Sequence, residues 1–125
     1  MSLKDILDNL YANRSPAHLA NDPLSFCHRY KRPEDREVAG FIAASFAYGQ
    51  VKIILKNLET VFAAMGNSPR QFVESFVPEK GLDLFGHFKH RFNDGRDLCA
   101  LLLAARTMIE EADSIGAFFL GCYDP

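Results

Sequence analysis

The sequence predicts an all-α protein, a compact bundle of about six to seven helices that forms one domain over residues 1–125. Apolar residues recur at intervals of three and four along most of the chain, the spacing that places them on one face of a helix. Serine, proline and glycine stand where such helices should begin and end. The chain has 125 residues, of which 48% are hydrophobic, so it is long enough to bury a single core.

The first predicted helix has an apolar face at the helical spacing, formed by Leu3, Ile6, Leu7, Leu10 and Tyr11. Ser2 with Asp5 three residues later approximates a capping box, which marks the start of this helix. Pro16 and Pro23 disfavour helix at the residues that precede them. Residues 13–32 are therefore predicted to be a long connection with one helical turn.

A tight helical hairpin is predicted at the centre of the chain, with helices over 33–48 and 51–65. Pro33 suits a first helical position, and Gly49 can take the left-handed conformation that ends a helix. The first of these helices has a face of small residues that would let a neighbouring backbone approach closely. The connecting bend, residues 48–50, is expected to hold the Tyr48 ring out in solvent.

The remaining elements follow the same kinds of signal. Ser68 with Pro69 opens a third helix of this region, and Pro78 is expected to stop it. Residues 80–92 alternate aromatic and basic side chains, which we interpret as a short helix that buries its rings. The Asn93–Gly95 turn signal precedes a long amphipathic helix, and Ser114 is the expected cap of the last one.

Composition excludes several classes of protein. The formal net charge is −2, so no overall positive field attracts nucleic acid, and any such contact must be local. Three cysteines without paired spacing argue against a disulfide framework and indicate a reducing, cytoplasmic location. The sequence has neither a signal-peptide pattern nor an apolar run of roughly 18 residues, so no membrane partner is expected.

No catalytic residue, metal site or cofactor is predicted from this chain. Cys27 with His28, and His87 with His90, suggest metal ligands, but neither pair has the spacing of a known metal motif. A cysteine nucleophile would need a partner base that the sequence does not identify. The acidic residues at 34–37 are explained by the dipole of the helix that begins at Pro33.

Two basic and aromatic clusters remain, His28–Arg32 and Lys89–Arg91 with its flanking phenylalanines. Either cluster is able to neutralise phosphates if the fold brings it to a groove. The alternative is an ordinary charged surface whose rings face the core. The bend at residues 48–50 favours the first interpretation, because it presents a large side chain between two well-packed helices.

Several stretches carry a resemblance to a known family, namely residues 22–26, 28–30, 37–49, 65–69 and 91–93. On these stretches the chain resembles an uncharacterised bacterial family that is catalogued as a domain of unknown function. Its members run to about twice this length, which implies that this chain is the N-terminal portion of a longer protein. The other half of those members resembles the helix-hairpin-helix DNA glycosylases and includes the stretch that holds their catalytic aspartate.

The resemblance implies a glycosylase-like fold and a role in binding double-stranded DNA. The bend at Phe46–Gln50 falls where those glycosylases place a wedge residue, which fills the gap that a rotated nucleotide leaves in the duplex. We therefore expect Tyr48, Gly49 and Gln50 to contact bases. The basic side chains expected to reach phosphates are Arg29, Lys31 and Arg32.

A second hypothesis is a non-enzymatic helical module that associates with a partner protein. The apolar stripe of the last helix would then dock on the missing half of the same protein or on a second copy. This stripe consists of Ile115, Phe118, Phe119 and Cys122.

Overall fold

The computed structural model describes all 125 residues as seven α-helices, two 3₁₀ helices and one antiparallel β-hairpin. The α-helices are α1 (Leu3–Asn13), α2 (Pro33–Ser45), α3 (Val51–Met65), α4 (Pro69–Glu74), α5 (Pro78–Phe85), α6 (Gly95–Ala112) and α7 (Ile115–Gly121). The strands are β1 (Lys89–His90) and β2 (Asn93–Asp94), and the 3₁₀ helices span Pro16–Leu19 and Pro23–Arg29. The predicted all-α bundle is confirmed. None of the helices combines the length and the apolar content needed to cross a bilayer.

Helix α2 and helix α3 supply much of the core, including the fully buried Val38, Ile42, Leu58 and Val61. The small face of α2 receives the 3₁₀ helix Pro23–Arg29, and Cys27 Sγ lies 3.2 Å from where a β-carbon on Gly40 would be. The residues before Pro33 were predicted to hold one helical turn, but they contain two 3₁₀ helices. These short helices satisfy the backbone locally beside each proline and bury Phe26.

Helix α2 ends three residues earlier than predicted, at Ser45. The Phe46 amide already bonds back to the Ala43 carbonyl at 3.3 Å, a shorter loop than an α-helical turn. The Tyr48 amide then bonds to the Phe46 carbonyl at 2.9 Å. Consequently the connection to α3 is a bend of five residues, Phe46–Gln50, which we call the α2–α3 bend.

The prediction of one short helix over residues 80–92 is wrong in its second half. Helix α5 ends at Phe85, and Pro78 begins this helix instead of only stopping the previous one. Residues 89–94 form the β-hairpin, in which Lys89 pairs with Asp94 and His90 pairs with Asn93. The ring of Phe92 is 88% exposed and not buried as expected.

Helix α7 is fixed to helix α2 through Glu37. The Glu37 carboxylate accepts hydrogen bonds from the backbone amides of Ile115 (3.1 Å) and Gly116 (2.6 Å), which are free donors at a helix start. Ile115 is therefore buried in the core and does not belong to an exposed stripe. By contrast, helix α1 has no buried residue, and its predicted apolar face is exposed.

Candidate nucleic-acid interface

The α2–α3 bend has one buried ring, one half-buried ring and three exposed residues, of which Ala47 is one. Phe46 lies in the core, Tyr48 is half-buried, and Gly49 and Gln50 are exposed. Gly49 has a φ of 100°, a conformation that glycine adopts without steric cost, as the sequence predicted. Gln50 precedes the first residue of α3 and makes no capping hydrogen bond with its side chain. The side-chain amide of Gln50 is thus free to contact a ligand.

The Tyr48 ring does not project freely into solvent, which corrects the expectation from the sequence. Its hydroxyl lies 3.1 Å from the His90 carbonyl oxygen and also contacts Asn93 Oδ1. With a single proton, this hydroxyl donates to one acceptor at a time. The ring packs edge-on against the His90 imidazole, with 4.7 Å between ring centroids. Tyr48 therefore holds the bend against the β-hairpin.

His90 is 1% exposed, and both of its ring nitrogens have partners. Nε2 lies 2.9 Å from the Tyr48 carbonyl oxygen, and because a carbonyl only accepts, this nitrogen must carry the proton. Nδ1 is then the acceptor for the Asn57 amide at 2.8 Å. These assignments give a neutral imidazole that links the bend, the hairpin and α3.

Asn57 completes this polar cluster from the first half of α3. Its amide nitrogen also donates to the Lys89 carbonyl at 3.1 Å, so its two protons have separate acceptors. No buried side-chain nitrogen or oxygen in the chain lacks a hydrogen-bond partner. A fully satisfied buried polar network favours one rigid arrangement. No local signal in the sequence places Asn57 or Asn93 in this cluster, and the sequence suggested three roles for His90: a metal ligand, a member of a basic cluster that neutralises phosphates, or an ordinary histidine.

The structure places Arg29, Lys31 and Arg32 away from the bend. Arg29 forms an ion pair with Glu59, which lies nine residues after Gln50, roughly 13 Å along the axis of α3. The hydrogen bond from Arg29 lowers the pKa of the Glu59 carboxyl and raises that of the guanidinium, so both are charged at neutral pH. Arg32 pairs with Glu34 at 2.8 Å, whereas Lys31 is exposed and has no ionic partner.

Four other basic residues surround the bend or the strand that supports it. They are exposed and take part in none of the five ion pairs in the chain: Lys52, Lys56, Lys89 and Arg91. The side chain of Arg91 lies over Gly49, with its Cδ 3.0 Å from the place a β-carbon would occupy. An otherwise slightly acidic chain therefore has unpaired positive charge near its exposed bend.

The residues considered for metal binding or nucleophilic catalysis do not converge. His87 is exposed, whereas His90 is buried with both nitrogens engaged. Burial raises the pKa of the Cys27 thiol, and it does the same for Cys99, so both thiols stay protonated at neutral pH. A protonated thiol is a poor nucleophile and a poor metal ligand. The arrangement offers binding groups around the bend and no assembled catalytic set.

Comparison with curated proteins and with solved structures finds no significant match. A family model described as "Protein of unknown function (DUF2400)" matches residues 22–124, which include the α2–α3 bend, the polar cluster and the hairpin. The chain therefore belongs to this family of unknown function.

Proposed function

We propose that this chain is the DNA-binding portion of a DNA glycosylase-like protein whose catalytic groups lie in a further half of the protein. One observation carries the proposal: the exposed Gly49–Gln50 corner is rigidly held and has unpaired cations around it. A preorganised corner loses little conformational entropy on binding, and cations attract the phosphate backbone. The resemblance to glycosylases at this bend points in the same direction.

Gln50 is the side chain of the bend best placed to enter a duplex. It is exposed, and its side chain makes no hydrogen bond in capping α3. An amide side chain can fill the gap left by a rotated nucleotide and replace lost base-pair hydrogen bonds. Tyr48 holds the bend in place through its contacts with His90, and the exposed part of its ring is available to the same ligand.

The cluster of Arg29, Lys31 and Arg32 would contact phosphates farther along the same DNA. Exchanging a carboxylate for a phosphate costs little here, because the pairs with Glu59 and Glu34 are largely exposed and such pairs are weak. Lys31 needs no exchange at all. Two separated basic regions suit a partner with regularly spaced negative charge.

The test is equilibrium binding of the 125-residue chain to labelled duplexes, one intact and one with a central abasic site. We expect binding that weakens as salt rises and that is tighter for the abasic duplex. Gln50→Ala should reduce the preference for the abasic duplex and leave the salt dependence unchanged. Lys31→Gln should reduce the slope of log affinity against log salt by about 1 for both duplexes.

The matched control for Lys31→Gln is Lys80→Gln, which removes the same charge from α5 on a surface that includes Phe72 and Phe76. This control should leave the slope unchanged. Absence of binding to either duplex at low salt would refute the proposal. So would equal effects of the two lysine variants, because only the overall charge would then matter.

A second candidate function, self-association, is favoured by the exposed apolar surface of α7 and the residues after it. Phe119 is 54% exposed, Leu120 72% and Tyr123 69%, and Cys122 is also exposed. Phe118 is half-buried and borders this surface. If this function is correct, light scattering will show a dimer that Phe119→Asp dissociates. Leu82→Asp, at an exposed leucine of α5, should leave that dimer intact.

A further inference from the structure

The tip of the β-hairpin consists of only two residues, Arg91 and Phe92. Because His90 pairs with Asn93, the strands are joined by a two-residue loop. Arg91 has a φ of 51°, in the left-handed region that residues other than Gly, Asn and Asp rarely adopt. Phe92 is 88% exposed, and of the other ten phenylalanines one, Phe119, is exposed, three are half-buried and six are buried.

Neither Arg91 nor Phe92 contributes to the stability of the fold. A left-handed conformation in a non-glycine residue costs on the order of 1 kcal/mol, and glycine would avoid that cost. A phenylalanine that is 88% exposed gains almost no stabilising free energy from burial. An isolated exposed ring is ordinary on a protein surface, but this ring differs in its rigid support and in the charges around it.

The tip is flanked on both sides by residues that are held by hydrogen bonds. On one side His90 is buried and hydrogen-bonded through both nitrogens. On the other side Asn93 contacts the Tyr48 hydroxyl, and Asp94 caps α6 by accepting from the amides of Arg96 (2.9 Å) and Asp97 (3.2 Å). Because its backbone is held in this way, the Phe92 ring loses little conformational entropy when a flat ligand stacks on it.

The charges around the Phe92 ring favour a ligand that carries negative charge. The Arg91 guanidinium lies 5.9 Å from the centre of the Phe92 ring, and neither it nor the adjacent Lys89 has an acidic partner. The nearby carboxylate of Asp94 is occupied in capping α6. A flat apolar group beside negative charge complements this surface, and a nucleobase with its flanking phosphate has both properties.

We propose that Phe92 stacks on an unpaired base of DNA while Arg91 and Lys89 contact the flanking phosphates. This inference rests on the proposed function, and it adds the residue that recognises the unpaired base. The Phe92 ring takes the aromatic role that the sequence analysis gave to Tyr48. Tyr48 is then a positioning residue, which ties the bend to the hairpin through the Asn93 contact.

The chain contains no tryptophan, so Phe92→Trp places the only indole of the chain at the tip. Titration with a single-stranded oligothymidylate, and separately with the abasic duplex, should quench this indole as a base stacks on it. The matched control is Phe119→Trp, which places the indole on the exposed ring position of α7. We expect no quenching in the control under the same conditions.

The affinity test is Phe92→Ala, which should weaken binding to both oligonucleotides by roughly 5- to 150-fold, the effect of losing one stacked base. Phe92→Tyr retains a stacking ring and should bind as the unchanged chain does. Thermal unfolding of Phe92→Ala should be unaltered, since the ring buries almost nothing.

Each remaining outcome overturns the inference. If Phe92→Ala binds normally while Lys31→Gln still lowers the salt slope, the stacking role fails and the proposed function stands. If the unchanged chain binds no DNA, both fail together. If the Phe92→Trp indole responds to vesicles of anionic phospholipid and not to oligonucleotides, the tip is a membrane contact instead.

Discussion

Gly95→Ala is expected to lower the free energy of unfolding by about 3 kcal/mol, because even one methyl group overpacks this site. A β-carbon at residue 95 would lie 2.1 Å from the Phe85 carbonyl oxygen and 2.9 Å from its carbonyl carbon. These are backbone atoms at the end of α5, so no side chain can rotate away to make room. Relief requires a shift of α5 or α6, and the hairpin that joins them would move as well.

Urea unfolding measures this loss, and Gly121→Ala is the matched control. Gly121 lies in the last turn of α7, has no positive φ, and has no atom within 4 Å of the added methyl group. Alanine there should leave the stability unchanged or raise it by about 0.5 kcal/mol, because it favours helix. Equal stability of the two variants would contradict the close approach of α5 and α6.

The helix boundaries were predictable where the signal is local. Ser2, Ser68 and Ser114 each accept a hydrogen bond from the backbone of the first turn, as their positions in the sequence indicated. Helix α3 ends at Met65 as predicted, and Gly66, which follows it, has a φ of 74°. Such signals depend on neighbours within four residues, and for this reason one sequence is sufficient to identify them.

The hairpin was not predictable by the same reasoning. Two strands of two residues each are too short to show the alternation that marks a strand. Their position depends on long-range contacts, since Tyr48 and His90 are 42 residues apart. The place of the bend was therefore predicted from Gly49, whereas the partner that covers the Tyr48 ring was not.

The same long-range contacts decide which residues remain available for binding. Because Tyr48 is held against His90, the exposed groups at this corner are Gln50 and the hairpin tip. The expectation that the Tyr48 ring is exposed was wrong, and the exposed ring of this region is that of Phe92. No local pattern distinguishes Phe88, which is buried, from Phe92, which is exposed.

His90→Leu is expected to lower the free energy of unfolding by about 2 to 4 kcal/mol, because each buried polar group left without a partner costs about 1 to 3 kcal/mol. Leucine fills part of the imidazole volume but neither donates to the Tyr48 carbonyl nor accepts from the Asn57 amide. His87→Leu is the control. His87 is exposed and lies three residues earlier, so its replacement should change stability by no more than about 0.5 kcal/mol.

The loss should also be local, and hydrogen exchange is the measurement that shows where it falls. In His90→Leu the amides of the α2–α3 bend should exchange faster than in the unchanged chain, by more than the loss of global stability explains. Amides in the middle of α6, such as that of Leu102, should exchange faster only by the amount that the loss of global stability explains. A uniform acceleration across the whole chain would mean that His90 fills space in the core and does not fix the corner. Gln50 and the hairpin tip would then lack the rigid support on which their proposed contacts with DNA depend.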